Sequence, residues 1–290
     1  MCCSQRPLSA RASPNTQDLG IAPASFENSR VDFLLECVGF PPDHDLDALA
    51  QLVRERGEDI PWRGPAGEHK RLPLAGGLEV HLDREESGLV SLWPYFVSPH
   101  RLRVQVESLA GVPDSPYHAH LVGVANPPPP GLPPESSEGY RLSAYLTDRR
   151  RIPSALVPGH VLAVSVAGFA LDIQAVGPNA GVRDQAILER PSGAALRPLG
   201  AADDPGGCME VSLRVQEVRR VTNPITGIQV GILETDAPGR PLQLFVSEWQ
   251  LEQDGLPAPR PGWRIEGAFL FTGRVSGGLP SQARRRRSFG

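Results

Sequence analysis

Strand-length segments in which apolar and polar residues alternate fill most of this chain. In HRLRVQVESL, for example, Leu102, Val104 and Val106 fall on one face, because successive side chains of a strand point to opposite sides of a sheet. Only DLDALAQLVRERG repeats its apolar residues with the period of a helix. This pattern predicts an α+β protein in which strands dominate.

A compact α+β module is predicted at the start of the folded part. RVDFLLECVGF, residues 30–40, has the length and apolar character of a strand. The helical segment follows it; Asp43 or Asp45 can cap its start, and Gly57 can end it. Three further strand-length segments come next in the sequence, namely HKRLPL, GLEVHLD and GLVSLWPYFV. The predicted order is therefore β-α-β-β-β.

The segment from 100 to 177 continues with strands and one long interruption. The segments YHAHLVGVA and GYRLSAYL alternate as strands, and six prolines between them exclude regular structure from residues 126–138. We expect this excursion to be exposed and to have polyproline II character. GHVLAVSVAGFALDIQAV predicts two buried strands that are broken at Gly168. Residues 178–207 are rich in Pro, Gly and Ala, which predicts a linker.

Four more alternating segments lie between residues 208 and 276. They are MEVSLRVQEVRRV, IQVGILETD, PLQLFVSEWQL and WRIEGAFLFTGRV. Short antiparallel strands with an early glycine-bearing turn, TNPITG, resemble a small barrel of the OB type. The ends of the chain, 1–27 and 277–290, lack periodicity, so we expect both to be disordered; the second contains the basic run Arg284–Arg287.

Charge and cysteine content limit the classes of function. The formal net charge is −4, so no overall field attracts nucleic acid or an acidic membrane surface. Within 208–275, seven Arg and eight Asp or Glu nearly cancel, which disfavours nucleic-acid binding by the barrel. The four cysteines have no zinc or disulfide spacing. Without a signal peptide or a long apolar run, we expect a soluble cytoplasmic protein that does not bind a membrane.

Two resemblances add to this pattern. The β-α-β-β-β order at 30–97 resembles one module of the glyoxalase/vicinal-oxygen-chelate fold, in which two modules form a cupped sheet around a metal. That resemblance implies a domain at 28–177 whose second half, 100–177, is a degenerate module. The layout also resembles a group of uncharacterised bacterial proteins, through the segments VGFP, GGLEV, TNPITG and GAFLFTGR. It implies a bacterial origin and brings no known activity.

A possible metal site lies on the strand GLEVHLD. Glu79, His81 and Asp83 share one face of this strand, and His118 and His120 form a second pair with the same spacing. Glu79, His81, His118 and His120 are therefore the candidate ligands of a divalent metal. The alternative is an ordinary solvated face, which we favour because antiparallel sheets commonly expose one side to water. The strands from which the glyoxalase fold supplies ligands also lack the usual ligand residues.

The preferred function from sequence is a non-catalytic binding or scaffolding protein that needs no cofactor. Trp93, Tyr95 and the excursion 126–138 are the predicted contacts with another protein or a small ligand. The main alternative is a metal-dependent enzyme of the vicinal-oxygen-chelate kind, and the second is nucleic-acid binding by the barrel. No G-x-S-x-G motif, P-loop or dinucleotide-binding fingerprint is present, so catalysis has no further support.

Overall fold

The structure is a computed structural model. It describes residues 32–60, 68–84, 90–112, 118–129, 131–133, 137–149, 152, 156–177, 194–200 and 206–278. The ends that we expect to be disordered, 1–27 and 277–290, lie outside these ranges except for residues 277 and 278. The basic run Arg284–Arg287 lies outside them as well. Of the predicted linker, only 194–200 and 206–207 are described.

Strands dominate the described residues, which confirms the β-rich prediction. The helices are α1 (Asp32–Leu35), α2 (Leu46–Arg56) and α3 (Glu248–Gln253). The strands are β1 (Glu58–Asp59), β2 (Glu68–Pro73), β3 (Leu78–Arg84), β4 (Val90–Phe96), β5 (Leu102–Gly111), β6 (Ala119–Ala125), β7 (Tyr140–Leu146), β8 (Val161–Val176), β9 (Ala195–Pro198), β10 (Cys208–Thr222), β11 (Gln229–Thr235), β12 (Leu242–Ser247) and β13 (Arg264–Gly277). None of the described helices is long and apolar enough to cross a bilayer.

The first four strands form a small antiparallel sheet in the order β1-β2-β3-β4. The helix α2 starts at Asp45, whose side chain accepts a hydrogen bond from Ala48 N, and it lies against β2 and β3. Alternate residues of β3 enter the same hydrophobic core as the apolar face of α2; they are Leu78, Val80 and Leu82. Pro94 interrupts no ladder, because β4 is an edge strand of this sheet.

The predicted first strand, within residues 30–40, is helical instead. The helix α1 continues as a 3-10 turn at Glu36–Val38, and Gly39 ends it with a φ of 85°. A short apolar run fits a buried helix as well as a buried strand, because it carries no periodicity. This segment packs against β4, β8 and β12. From residue 32, where the described part begins, the observed order is therefore two helices followed by four strands.

The other nine strands belong to one large sheet, whose pairings close two rings of five strands. The first ring follows the order β5-β6-β7-β13-β8 and returns to β5, with a parallel contact between β7 and β13. The second follows β10-β11-β12-β8-β13 and returns to β10, with a parallel contact between β12 and β8. Both rings therefore share β8 and β13, and the sheet runs across the predicted boundary at 178–207.

Three local predictions in this sheet need correction. The segment 161–176 is one continuous strand, and Gly168 does not break it. The glycine instead allows close packing of neighbouring side chains, since a Cβ there would lie 2.7 Å from Leu244 and 2.8 Å from Phe271. The predicted linker contains β9, which pairs with β10. The segment PLQLFVSEWQL leaves the sheet at Ser247, where a capping box with Gln250 starts α3.

Candidate functional site

The polar face of β3 is buried, so the expectation of a solvated face is wrong. Glu79, His81 and Asp83 are only 5%, 2% and 2% exposed. The alternation itself is as predicted, with the apolar residues of β3 in the core beneath α2. The polar face is buried because it lies against the large sheet. The contacts are made with residues of β7 and β13 and with His118, just before β6.

Asp83 joins the two sheets. One of its carboxylate oxygens contacts Nδ1 of His69, which lies directly across from it on β2. The other oxygen lies 3.4 Å from Nε2 of His118. Burial by itself would raise the pKa of the Asp83 carboxyl, but the imidazoles of His118 and His69 outweigh burial and hold the pKa well below its ordinary value. Asp83 is therefore an ionised carboxylate inside the protein.

A second carboxylate–imidazole pair lies next to the first. Nε2 of His81 lies 2.9 Å from Glu79 Oε2, and Nη1 of Arg71 lies 3.7 Å from the other oxygen of Glu79. Burial opposes ionisation of Glu79, yet the hydrogen bond with His81 and the nearby positive charges lower its pKa. Burial also lowers the pKa of His81. At neutral pH the pair therefore consists of a carboxylate and a neutral imidazole.

Aromatic rings cover this polar face. Trp93 stacks on Tyr145 of β7 with ring centroids 4.7 Å apart, and the guanidinium of Arg274 on β13 lies 5.3 Å from the ring of Tyr95. Trp93 and Tyr95 are 7% and 3% exposed, so they do not form the exposed contact surface that the sequence predicts. The residues that join the two sheets are called the interface cluster below; they are His69, Glu79, His81, Asp83, Trp93, Tyr95, His118, Tyr145 and Arg274.

The four candidate metal ligands do not converge on one point. Glu79 and His81 contact each other, His118 lies against Asp83, and His120 packs edge-on against a tyrosine of β7. Among the described residues, no group of three or more His, Cys, Asp or Glu side chains has an arrangement that could hold a metal ion. The arrangement instead matches buried carboxylates that have polar partners within the protein.

Sequence analysis missed three members of the interface cluster. His69 faces Asp83 because β2 and β3 pair in one particular register, and the strand patterns alone leave that register open. Tyr145 and Arg274 belong to strands far along the chain. No local signal in the sequence indicates that these strands meet β4.

A third acidic group lies outside the interface cluster, where the N-terminal helical segment meets α3. Burial, followed by the nearby negative charge of Asp254, raises the pKa of Glu36 to about 7. A carboxyl whose pKa is higher in the folded state than the ordinary 4.5 binds its proton more tightly when folded. Its contribution to stability is complete below pH 4.5 and is lost as the pH rises through 7.

The variant Glu36→Gln tests this pH dependence. Between pH 4.5 and pH 8, the wild type is expected to lose on the order of 1 kcal/mol more unfolding free energy than the variant, after allowance for solvent screening. Urea denaturation at both pH values measures this difference. Glu55→Gln, at an exposed position on α2, is the control and is expected to titrate like the wild type. An equal loss of unfolding free energy between the two pH values in the wild type and in Glu36→Gln would contradict the prediction.

Comparisons with known proteins yielded no match. No protein-family model, no curated protein and no solved structure matches this chain. A proposal about function therefore depends on the geometry described above.

Proposed function

We propose that this chain is a non-catalytic binding protein that contacts a partner protein through the excursion 126–138. The observation that carries this proposal is the position of Leu132. Its side chain is exposed on a hydrogen-bonded turn. The interface cluster is instead buried, and its acids and imidazoles contact one another. The Leu132 side chain, and not the buried cluster, is accessible to a partner.

The excursion is held at its base and shaped at its tip. Nδ2 of Asn126 donates a hydrogen bond of 2.6 Å to the carbonyl oxygen of Pro238. At the tip, Leu132 N donates to Pro129 O at 3.1 Å, and Gly131 has a φ of 86°. A positive φ at the third position of a turn is a conformation that glycine adopts without strain. The tip therefore presents Leu132 in a defined orientation.

Leu132 is one of few exposed large apolar side chains in the described part of the chain. The others are Val97 and Val157. Burial of the Leu132 side chain against a partner would remove its remaining apolar surface from water. A loop that is already hydrogen-bonded in its bound conformation loses less conformational entropy on such a contact than an unstructured one. These features support a contact point for another protein.

The potentially reactive groups support a structural role. In the interface cluster, each of the two buried carboxylates lies against an imidazole of the protein itself. The Cys37 thiol is buried and donates to Ala170 O at 2.8 Å, and burial raises its pKa above that of a reactive thiol. We therefore assign the interface cluster the role of holding the small sheet on the large one.

Nucleic-acid binding through an OB-like barrel is the second candidate function. The order of strands in both rings favours an OB-like interpretation, since OB barrels are five-stranded and antiparallel in most of their pairings. Their ligand face lies on the second and third strands, which correspond here to β6 and β7 or to β11 and β12. Tyr145 on β7 is covered by Trp93, and every residue of β12 is buried. This coverage ranks the candidate below protein binding.

Replacement of Leu132 by aspartate tests the proposed function. Leu132 and Val157 are 53% and 56% exposed, so Val157→Asp is a matched control. A charge at position 132 is expected to cost about 2 kcal/mol of binding free energy, or roughly a thirty-fold loss of affinity. Affinity capture from source cells, quantified by mass spectrometry, would show a protein retained by the wild type and by Val157→Asp but lost by Leu132→Asp. Identical captured proteins for all three chains would contradict the proposal.

A further inference from the structure

We propose that the interface cluster is a pH switch: near about pH 5, protonation of its imidazoles opens the small sheet away from the large sheet at the Asp83 end. At neutral pH the cluster keeps the two sheets together. The packing of Phe96 serves as the hinge on which the small sheet opens. The inference goes beyond the proposed contact at Leu132 and does not depend on it, because it concerns a conformational change within the chain.

Asp83 can compensate only one of the two imidazoles that contact it. One of its oxygens contacts His69, and the other lies 3.4 Å from Nε2 of His118. A single imidazolium beside this carboxylate would be neutralised, whereas a second would leave a positive charge in excess. The side chains of His69 and His118 are 7% and 2% exposed. An uncompensated charge at such buried positions strongly destabilises the closed contact.

Glu79 is already surrounded by positive charge before any imidazole is protonated. Nη1 of Arg71 lies 3.7 Å from one of its oxygens, and the guanidinium of Arg274 also acts on it from β13. His81 contacts the other oxygen at 2.9 Å. Protonation of His81 would therefore place a third positive charge around a single carboxylate. The closed interface consequently favours the neutral form of this imidazole.

The remaining groups that face the cluster do not restore the balance of charge in acid. Tyr95 and Tyr145 contribute phenols, which stay uncharged in acid. His120 on β6 packs edge-on against Tyr145 and adds a fourth imidazole. Asp148, just after β7, accepts a hydrogen bond from Val275 N on β13 and adds one carboxylate. Protonation of all the imidazoles therefore leaves positive charge in excess even when Asp148 is counted.

Within the cluster, only the imidazoles titrate between pH 7 and about pH 5. Burial opposes ionisation of Asp83 and Glu79, but their polar partners hold the pKa of each carboxyl below its ordinary value, 3.8 for Asp83 and 4.5 for Glu79. Burial lowers the pKa of His81 below its ordinary 6.5. Because the open state binds this proton more tightly, the contribution of His81 to closure is complete above pH 6.5 and decreases as the pH falls below that value.

The opposite end of the interface is apolar and does not respond to pH. Phe96, the last residue of β4, packs against Phe169 and Phe245 with ring centroids 6.3 and 5.6 Å away. Asp83 pairs with Ser91, five residues earlier on β4. The titrating contacts and the phenylalanine contacts therefore lie at different ends of the same strand. Acid weakens one end and leaves the other in place, so the small sheet is expected to rotate about Phe96.

Two buried donors of the cluster reduce the cost of opening. Nε1 of Trp93 and Nε of Arg274 have no hydrogen-bond partner among the described residues. A buried donor without an acceptor destabilises the state in which it is buried. Water can reach both donors once the sheets separate. Their hydration therefore offsets part of the contact that is lost on opening.

Hydroxyl-radical footprinting of the full chain, read by mass spectrometry, tests the switch. The reagent labels aromatic side chains that solvent reaches, and it is used at pH 7 and at pH 5. The parent protein carries Glu36→Gln, which removes the opposing pH dependence of Glu36. Labelling of Trp93 and Tyr145 is expected to rise about tenfold from pH 7 to pH 5. Phe169 and Phe245 are expected to stay protected at both pH values.

Histidine variants in the same background identify the groups that respond. The double variant His81→Gln/His118→Gln removes two imidazoles and is expected to leave Trp93 protected at pH 5. His100→Gln is the control, because His100 is 26% exposed and lies outside the cluster; it is expected to open like the parent. If the double variant is already labelled at pH 7, His118→Gln alone replaces it, since His69 remains beside the carboxylate. This single variant is expected to open at a lower pH than the parent.

Three results would overturn the inference. If labelling of Trp93 and Tyr145 does not rise at pH 5, the cluster is not a pH switch. If Phe169 and Phe245 become labelled together with them, the whole chain unfolds and there is no hinge. If the histidine variants open at the same pH as the parent, the imidazoles are not the groups that respond to acid. None of these results bears on the proposed contact at Leu132.

Discussion

The variant Asp83→Ala is expected to lower the free energy of unfolding by about 3 kcal/mol, because removal of one partner from a buried charged network leaves the others uncompensated. Asp83 contacts His69 and lies 3.4 Å from His118, so its loss affects the small sheet and its attachment to the large sheet together. Both imidazoles would remain buried without their acidic partner. Urea denaturation at pH 7, with the m-value fitted for each protein, measures the change.

The control for this prediction is Asp59→Ala. Asp59 forms an ion pair with Lys70 on the same small sheet, but its side chain is exposed, so its removal is expected to cost less than about 0.5 kcal/mol. If Asp83→Ala costs no more than Asp59→Ala, the interface cluster does not hold the two sheets together. If Asp83→Ala loses the expected free energy of unfolding but also has a lower m-value than the wild type, the small sheet has already detached in the native state of the variant.

The second large effect is expected at Gly267, where β13 pairs with Ile173 of β8. Gly267 has a φ of 131°, and a Cβ there would lie 2.1 Å from the carbonyl oxygen of Asp172. Gly267→Ala therefore combines backbone strain with a clash against a neighbouring strand. We expect a loss of about 3 kcal/mol in the free energy of unfolding. Thermal and urea denaturation measure it.

A second glycine of the same strand separates this effect from the general cost of an extra methyl group. At Gly277 a Cβ would make only an ordinary contact, at 3.7 Å from the Cβ of Ala163. Gly277→Ala is therefore expected to change stability by less than about 0.5 kcal/mol. Equal stability of the two variants would contradict the close approach of β13 to β8 at Gly267.

Sequence patterns predicted the strands well because alternation is a local property. The segments around β3 and β5 are clear examples: polar and apolar residues alternate along each strand, and the burial of Leu102, Val104 and Val106 follows the predicted face. Phe269 and Phe271 of β13 likewise share one face by this alternation, and both are fully buried. Period-two alternation is sufficient to identify such strands without knowledge of their partners.

The errors arose where the outcome depends on distant contacts. The pattern at β3 gives two faces but does not indicate that Trp93 meets Tyr145, a residue of a separate sheet. Closure of the two rings likewise depends on parallel contacts, such as Leu244 with Gly168, between strands well separated in sequence. One local signal was available and missed: Ser247 and Gln250 have the spacing of a capping box, which predicts the start of α3.

The accessibility of the histidines tests the central claim that the interface cluster is sealed between the sheets and unavailable to a ligand. Burial lowers the pKa of His81, so its imidazole is neutral at pH 7 and would react with diethyl pyrocarbonate if reagent reached it. The side chain of His100 is 26% exposed, whereas those of His81 and His118 are 3% and 2% exposed. Mass spectrometry of the folded protein is expected to find His100 modified, and His81 and His118 protected until urea unfolds the chain. Modification of His81 and His118 at the rate of His100 would contradict the account and indicate an open site.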